Sequence, residues 1–228
     1  MRNETLYMID IETTGVDRKW DQVLEVALVP IRFRDPELNG GYWHVTGVPY
    51  HKILHSGRQP ETVFAKNNMA ALYKKCNETS PEVNYESVAR DLRRYLHPEL
   101  EGERLDKPSY NPKQFMGWNA SNFDLEFMFD KGMLTRSHYR EQNGKEVLCG
   151  DAHYRVYEQT GTIEFLMDVT GLGRKVLLDL ALDMVPAPVR LPVEGISHNA
   201  LDDCYYQINM MNGLIALGRS GFRKNPKL

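Results

Sequence analysis

The sequence predicts an α/β protein, a mixed sheet flanked by helices. Three observations predict it. The apolar run over 5–11 reads as a buried strand. The stretch over 23–33, Val-Leu-Glu-Val-Ala-Leu-Val-Pro-Ile-Arg-Phe, alternates as a second, longer strand does. Beyond these, segments of helical period interleave with short apolar runs. The resulting order, βββ-α-β-α-(β)-α, suits a sheet covered by helices.

Each element has its own local reason. Pro30 inside the second strand lacks a donor N–H, so a bulge or an edge position is expected there. Asp35-Pro36-Glu37-Leu38-Asn39-Gly40-Gly41 reads as a turn, and 42–48 as the third strand of a meander. Helices are expected near 61–75 and 83–96; the second carries Val88, Leu92, Tyr95 and Leu96 at helical spacing. Residues 97–114, rich in charge and proline, read as a loop, and a short strand at 115–118 leads into a helix over about 122–132. The polar stretch 135–162 has no clear period. A short strand is expected near 163–169, then a helix at about 172–184. Pro186, Pro188 and Pro192 enforce a loop. The last helix, about 199–217, is apolar along Ala200, Cys204, Ile208, Met211 and Ile215.

Composition narrows the function. The chain has 228 residues, 42% hydrophobic and 26% charged, with no repeat or linker, so one domain over 1–228 is expected. A net charge of −3 argues against a protein that coats nucleic acid through bulk charge. It leaves room for an enzyme that holds a few nucleotides, because bound cations supply positive charge locally. Cys76, Cys149 and Cys204 are odd in number and widely spaced, which fits a reducing compartment. The N-terminus carries no signal-peptide core and no apolar run spans a membrane, so a cytoplasmic protein is expected.

Three short motifs carry the chemistry. Asp10 and Glu12 end the apolar run Leu6-Tyr7-Met8-Ile9 and stand two apart on a strand, so they share a face. Two such carboxylates raise each other's pKa unless a cation lies between them. Thr13, Thr14 and Gly15 follow; Gly15 permits a sharp turn or a close approach, and the threonine hydroxyls and amides suit a terminal nucleotide. An ordinary strand end with solvated acids fits the first motif as well. Asp124 follows Phe115-Met116-Gly117-Trp118-Asn119-Ala120-Ser121-Asn122-Phe123 and opens a helix, where a carboxylate is also favoured by the helix dipole alone. Phe123 and Phe127 suit the core or a substrate wall. His198 lies at a loop or helix start, with Asp203 five residues on. An imidazole there suits a general base, since histidine titrates near neutrality; a helix-capping histidine is the plainer reading. Oxygen ligands in this number suit hard divalent cations such as Mg²⁺ or Mn²⁺.

Together the motifs resemble the DnaQ-like superfamily of 3'–5' exonucleases, in the subgroup marked by four acids and a histidine. Asp10 and Glu12 match Asp-x-Glu-Thr-Thr/Met-Gly, Asp124 the second motif, and His198 with Asp203 the third, His-x-Ala-x-x-Asp, including Ala200. The local pattern is most similar to the phage exonuclease A (DexA) branch: Asn119–Asp124 follows its Asn-x-x-x-Phe-Asp, and Gln207 stands four residues after Asp203. Asp168-Val169-Thr170-Gly171 is similar to a short strand between the motifs, while Trp118 stands where many members have His or Gly. The resemblance implies an RNase H-like fold, a five-stranded mixed sheet with Asp10 and Glu12 on its central strand. It also implies two ions, Mg²⁺ or Mn²⁺, held by Asp10, Glu12, Asp124 and Asp203, and His198 as the base. Single-stranded 3' ends would be the partner, DNA before RNA, with Thr13, Thr14, Gly15, Trp118, Asn119, Phe123 and Phe127 around the substrate. A phage-encoded protein would work in the host cytoplasm. An RNA-trimming enzyme and a silent nucleic-acid- or polymerase-binding domain are the competing readings.

Other patterns weigh less. His51 and His55 have the i, i+4 spacing of a zinc helix but lack its glutamate and third ligand. Gly171-Leu172-Gly173 is too short for a dinucleotide fingerprint. Asp168, Asp179 and Asp183 read as strand-end and helix-surface groups.

Overall fold

The structure, a computed structural model, describes residues 4–34, 41–100, 111–193 and 195–220. The turn expected at 35–41, apart from Gly41, and most of the loop expected at 97–114 lie outside them.

The central layer is a mixed sheet of six strands. Strand β1 (Leu6–Thr13) lies in its middle, antiparallel to β2 (Val23–Arg34) and parallel to β5 (Lys113–Gly117). β2 pairs along its second half with β3 (Tyr42–Val45) and along its first half with β4 (Tyr50–Ile53). β5 pairs in parallel with β8 (Ala152–Glu158), the other edge. The expected mixed sheet with its acids on the central strand is present, with six strands where five were expected.

Pro30 shows how the sequence accommodates this layout. It stays in regular register with Tyr7 of β1, so there is no bulge at this point. It falls instead in the gap between β3 and β4, where its carbonyl accepts the Thr46 amide at 2.9 Å. The missing N–H is thus placed where β2 changes partners. The β1–β2 irregularity comes at Glu12/Thr13, at the end that carries the acids.

Both faces of the sheet are covered. On one, Ile9 and Ile11 pack with Phe115 against α3 (Tyr85–Leu96) and α4 (Asp124–Asp130). On the other, Leu6, Met8, Ala27 and Val29 pack against Ala200, Cys204 and Ile208 of α7 (Ala200–Ser220). Alternation along β1 therefore sends Asp10 and Glu12 to the α7 face. The helix expected at 61–75 breaks at Met69 into α1 (Val63–Asn68) and α2 (Ala70–Glu78).

The strand expected near 163–169 is a correction. Those residues belong to α5 (Gln159–Thr170), and Asp168-Val169-Thr170 is its last turn. Ile163, Leu166 and Met167 stand at i, i+3 and i+4 and pack with α6 (Arg174–Asp183) and α7. The last strand of the sheet is β8, inside the stretch that showed no period. That stretch also holds a separate hairpin, β6 (His138–Gln142) and β7 (Lys145–Cys149), which forms its own two-stranded sheet. Its turn, Asn143–Gly144, takes φ of 53° and 72°, as a two-residue hairpin loop requires.

Candidate active site

The three motifs meet at the end of β1. Asp124 is the first residue of α4 and is buried; its Oδ1 accepts the Ile11 amide at 2.9 Å. That bond ties the second motif to the backbone between Asp10 and Glu12, although Ile11 itself faces the other way. Asp203, in the first turn of α7, is also buried and reaches the strand from the opposite face. Gln207, one turn further on, donates to Asp10 Oδ1 at 2.9 Å and accepts the Trp118 amide at 3.0 Å. It links the first and second motifs from α7.

His198 completes the cluster. Its Nδ1 is 4.0 Å from Glu12 Oε1. Glu12, His198 and Asp203 each bring a ligand atom within 4.8 Å of the others. His198 has φ of 53°, in the left-handed region, as does Asn119 in the second motif at 58°. Non-glycine residues in that region are uncommon and are held by their surroundings. On the N-terminal side of His198 the Ser197 amide donates to Asp203 Oδ1 at 2.7 Å. The ring edge meets Phe64 of α1, centroid to centroid 5.0 Å.

The charges at this end repel one another. Burial, then Asp124, Glu12 and Asp203, raises the Asp10 pKa well above the carboxylate range, against one lowering bond from Gln207. Burial, then Asp203, Glu25 and Asp124, pushes Glu12 up to about 8. Burial raises Asp124 to about 7 despite the bonds from its own amide and that of Ile11. Burial also raises Asp203, although the Ser197 amide and His198 draw it down. Among the described residues none of the four forms an ion pair with Lys or Arg. An all-oxygen set of mutually repelling acids fits a hard divalent cation, which would offset the repulsion that raises these pKa values.

The residues expected around a substrate divide. The loop after β1 is braced from within. Thr13 donates its hydroxyl to the Gly15 carbonyl at 2.6 Å, and Thr14 donates its hydroxyl to Asp21 at 2.8 Å and its amide to the Gln22 carbonyl at 2.9 Å. These bonds brace the loop that was expected to meet a nucleotide. At Gly15 a Cβ would come within 2.5 Å of the Asp21 carboxylate, so its close approach is to this side chain. Arg18 in the same loop pairs with Glu126 of α4. Trp118 is half-buried, with the Arg174 guanidinium 4.4 Å from its ring centroid, and Asn119 is exposed. Phe123 is half-buried against Phe127. Phe127 is wholly buried in the core, so the expected substrate contact is corrected to a packing role.

Two neighbours were missed in the sequence. Glu25, on β2 opposite Glu12, is wholly buried and binds His51, Asn199 and the Ala200 amide. Its signal was present: one acid in an otherwise apolar strand. Phe64 carried no signal, since an aromatic on a short helix is commonplace. His51 lies on β4, and His55 Nδ1 sits 2.8 Å from the Thr79 carbonyl, so the zinc-helix spacing is incidental.

No family model and no curated protein matches the sequence. Among solved structures, the zinc-bound E. coli exonuclease I–single-stranded DNA complex is similar to this chain with a TM-score of 0.47 and 13% identity, over 97% of this chain and 42% of that one. A second exonuclease I structure, described for how processivity is achieved, gives 0.45 and 16%, over 95% of this chain and 42% of its own. The chain therefore spans less than half the length of exonuclease I. The closeness to the phage exonuclease A branch finds no counterpart in these comparisons. No helix among the described residues is long and apolar enough to cross a membrane.

Proposed function

We propose that this chain is a metal-dependent 3'–5' exonuclease that releases nucleoside 5'-monophosphates from single-stranded DNA. One observation carries the reading. Acids from three separate stretches, half-buried Asp10 with Glu12 and buried Asp124 and Asp203, converge without a Lys or Arg partner among the described residues, beside a histidine 4.0 Å from Glu12.

Asp10, Glu12, Asp124 and Asp203 would hold two divalent cations, Mg²⁺ or Mn²⁺, which when bound offset the charge of the phosphodiester and acidify water. The side chains do the rest. With Nδ1 turned to Glu12, His198 receives the proton of the attacking water at Nε2. Glu12 orients the ring and stabilises the imidazolium that forms. Water attacks phosphorus, the bond to the 3' oxygen of the preceding nucleotide breaks, that oxygen takes a proton from solvent to become the new 3'-hydroxyl, and the 5'-monophosphate is released. The braced loop at Thr13–Gly15 and the half-buried faces of Trp118 and Phe123, with Asn119, border the path of the strand. A duplex end must first fray, at a cost of roughly a few kcal/mol per pair opened.

The test is incubation of the purified protein with 5'-labelled single-stranded DNA and RNA, and with an internally labelled single-stranded DNA circle, in Mg²⁺, Mn²⁺ or EDTA. A ladder of shortening DNA that EDTA abolishes is expected. Cleavage of the circle would remove the need for an end. Faster shortening of RNA would move the substrate to RNA, and binding without cleavage would leave a silent nucleic-acid-binding domain.

A further inference from the structure

Glu25, across the strand pair from Glu12, spends both carboxylate oxygens next to the candidate site on other partners. Oε1 lies 2.5 Å from His51 Nε2 of β4 and accepts from Asn199 Nδ2 at 3.2 Å. Oε2 accepts the Ala200 amide at 3.0 Å. That amide opens α7, where the first N–H groups have no intrahelical partner and the dipole favours an anion. His198 is thus clamped on both sides. Ser197 before it is held by Asp203 at 2.7 Å, and Asn199 with Ala200 after it are held by Glu25. The residue between carries the left-handed φ of 53°, a conformation that persists only where neighbours enforce it. A glutamate wholly buried on β2 is costly unless its bonds are made, and all of them go to this segment and to His51.

We propose that Glu25 is a positioning residue: it fastens the backbone on the C-terminal side of His198 to the sheet and so aims the imidazole at the reacting water. This rests on the exonuclease reading above. Glu25 touches no substrate in this account; it acts through His198. Losing it would let the ring leave its place beside Glu12, and misplacing a reacting group by about 1 Å costs on the order of 10²-fold in rate.

The experiment uses the full chain, carrying Glu25→Gln or His51→Ala, each alone and combined with His198→Ala. It measures single-turnover cleavage of labelled single-stranded DNA in Mg²⁺, binding of the same strand in Ca²⁺, and amide hydrogen exchange at Ala200. Glu25→Gln is expected to lower the rate constant about tenfold or more, to shift Kd less than about twofold, and to speed exchange at Ala200. In the His198→Ala background it should add almost nothing, because the group it aims is gone. His51→Ala leaves the β4 backbone pairing in place and should show the same pattern at smaller amplitude; it decides the matter if Glu25→Gln does not fold. Losses that multiply with that of His198→Ala, or a Kd increase that accounts for the whole rate loss, would overturn the proposal. Exchange is read without turnover. Faster exchange at Ala200 in a chain that cuts no DNA supports the fastening and sinks the exonuclease reading; unchanged exchange in an active chain sinks the fastening alone.

Discussion

Buried acids stand at both ends of the sheet, and the fold treats them in opposite ways. Where β5 and β8 begin, Asp151 receives the amide and hydroxyl of Thr135 at 2.9 and 2.6 Å, with His97 at 3.5 Å and Arg93 at 3.9 Å. Burial alone would raise its pKa, but His97, Thr135 and Arg93 outweigh that and hold it below the usual range. Where β1 ends, burial and neighbouring carboxylates push Asp10, Glu12 and Asp124 up, and no Lys or Arg among the described residues pairs with them. Burial is common to both ends, so burial does not mark a site. The difference lies in the counter-charge, built into the chain at one end and left to come from outside at the other.

The sharpest way to break this contrast is to neutralise the acids one at a time. Asp10→Asn, Glu12→Gln, Asp124→Asn and Asp203→Asn should each cut DNA shortening about 10³-fold or more, because each removes a ligand charge. Their metal-free melting temperatures should hold steady or rise. A melt that drops in any of them as it does for Asp151→Asn would make that acid structural. His198→Ala should lose about 10²–10⁴-fold near neutral pH and recover part of it in alkali, where hydroxide replaces the base. A pH–rate profile parallel to the parent, only lower, would mean that the ring positions or ligates and takes no proton.

Asp151→Asn tests the other end. It removes the buried carboxylate charge that faces Arg93 and His97 and should cost on the order of 3 kcal/mol, lowering the melting temperature by roughly 5–10 °C with kcat unchanged. The two ends should also part in their response to pH. Glu12 has its folded pKa raised to about 8 from 4.5, so its contribution is full below pH 4.5 and is lost as pH rises towards 8. Asp151 is depressed below 3.8, so its contribution is present above that value and is lost as pH falls through the folded pKa. Melts in EDTA should therefore weaken from pH 5 to 8, by about 5 °C or more, and Mn²⁺ should reverse the loss. A flat EDTA profile over that window would mean the acids are not crowded. The smallest effect is expected at Phe64, more than half exposed against His198. Phe64→Ala should slow turnover about threefold, read as kcat with KM steady.

Legibility in the sequence followed locality. β1 and its two acids could be read because a buried strand and its chemistry lie within eight residues. Asp124 and Asp203 could be read as motifs, but their meeting depends on contacts such as Asp124 to the Ile11 amide, across 113 positions. β8 escaped because Tyr154 and Arg155, on opposite faces of this edge strand, are both exposed, so the strand loses its apolar alternation. α5 was misread because Ile163 and Phe165-Leu166-Met167 form an apolar run whose helical spacing shows only against α6 and α7. The Asn143–Gly144 turn was legible in principle, but exposed polar strands on either side hid it.

That hairpin has a practical consequence. β6 is exposed along its whole length, and among the described residues β6 and β7 form a two-stranded sheet of their own. At its base Leu148 shares a cavity wall with Glu4, Thr5 and Lys113, at the end of the sheet away from the acids. Tight turns of this kind tolerate insertion, since nothing downstream depends on their side chains. A biotin tag grafted at Asn143–Gly144 would tether the molecule to a streptavidin-coated surface through a ribbon outside the six-stranded sheet. On the proposed exonuclease reading, an immobilised chain of this sort would let a single strand be watched as it is shortened.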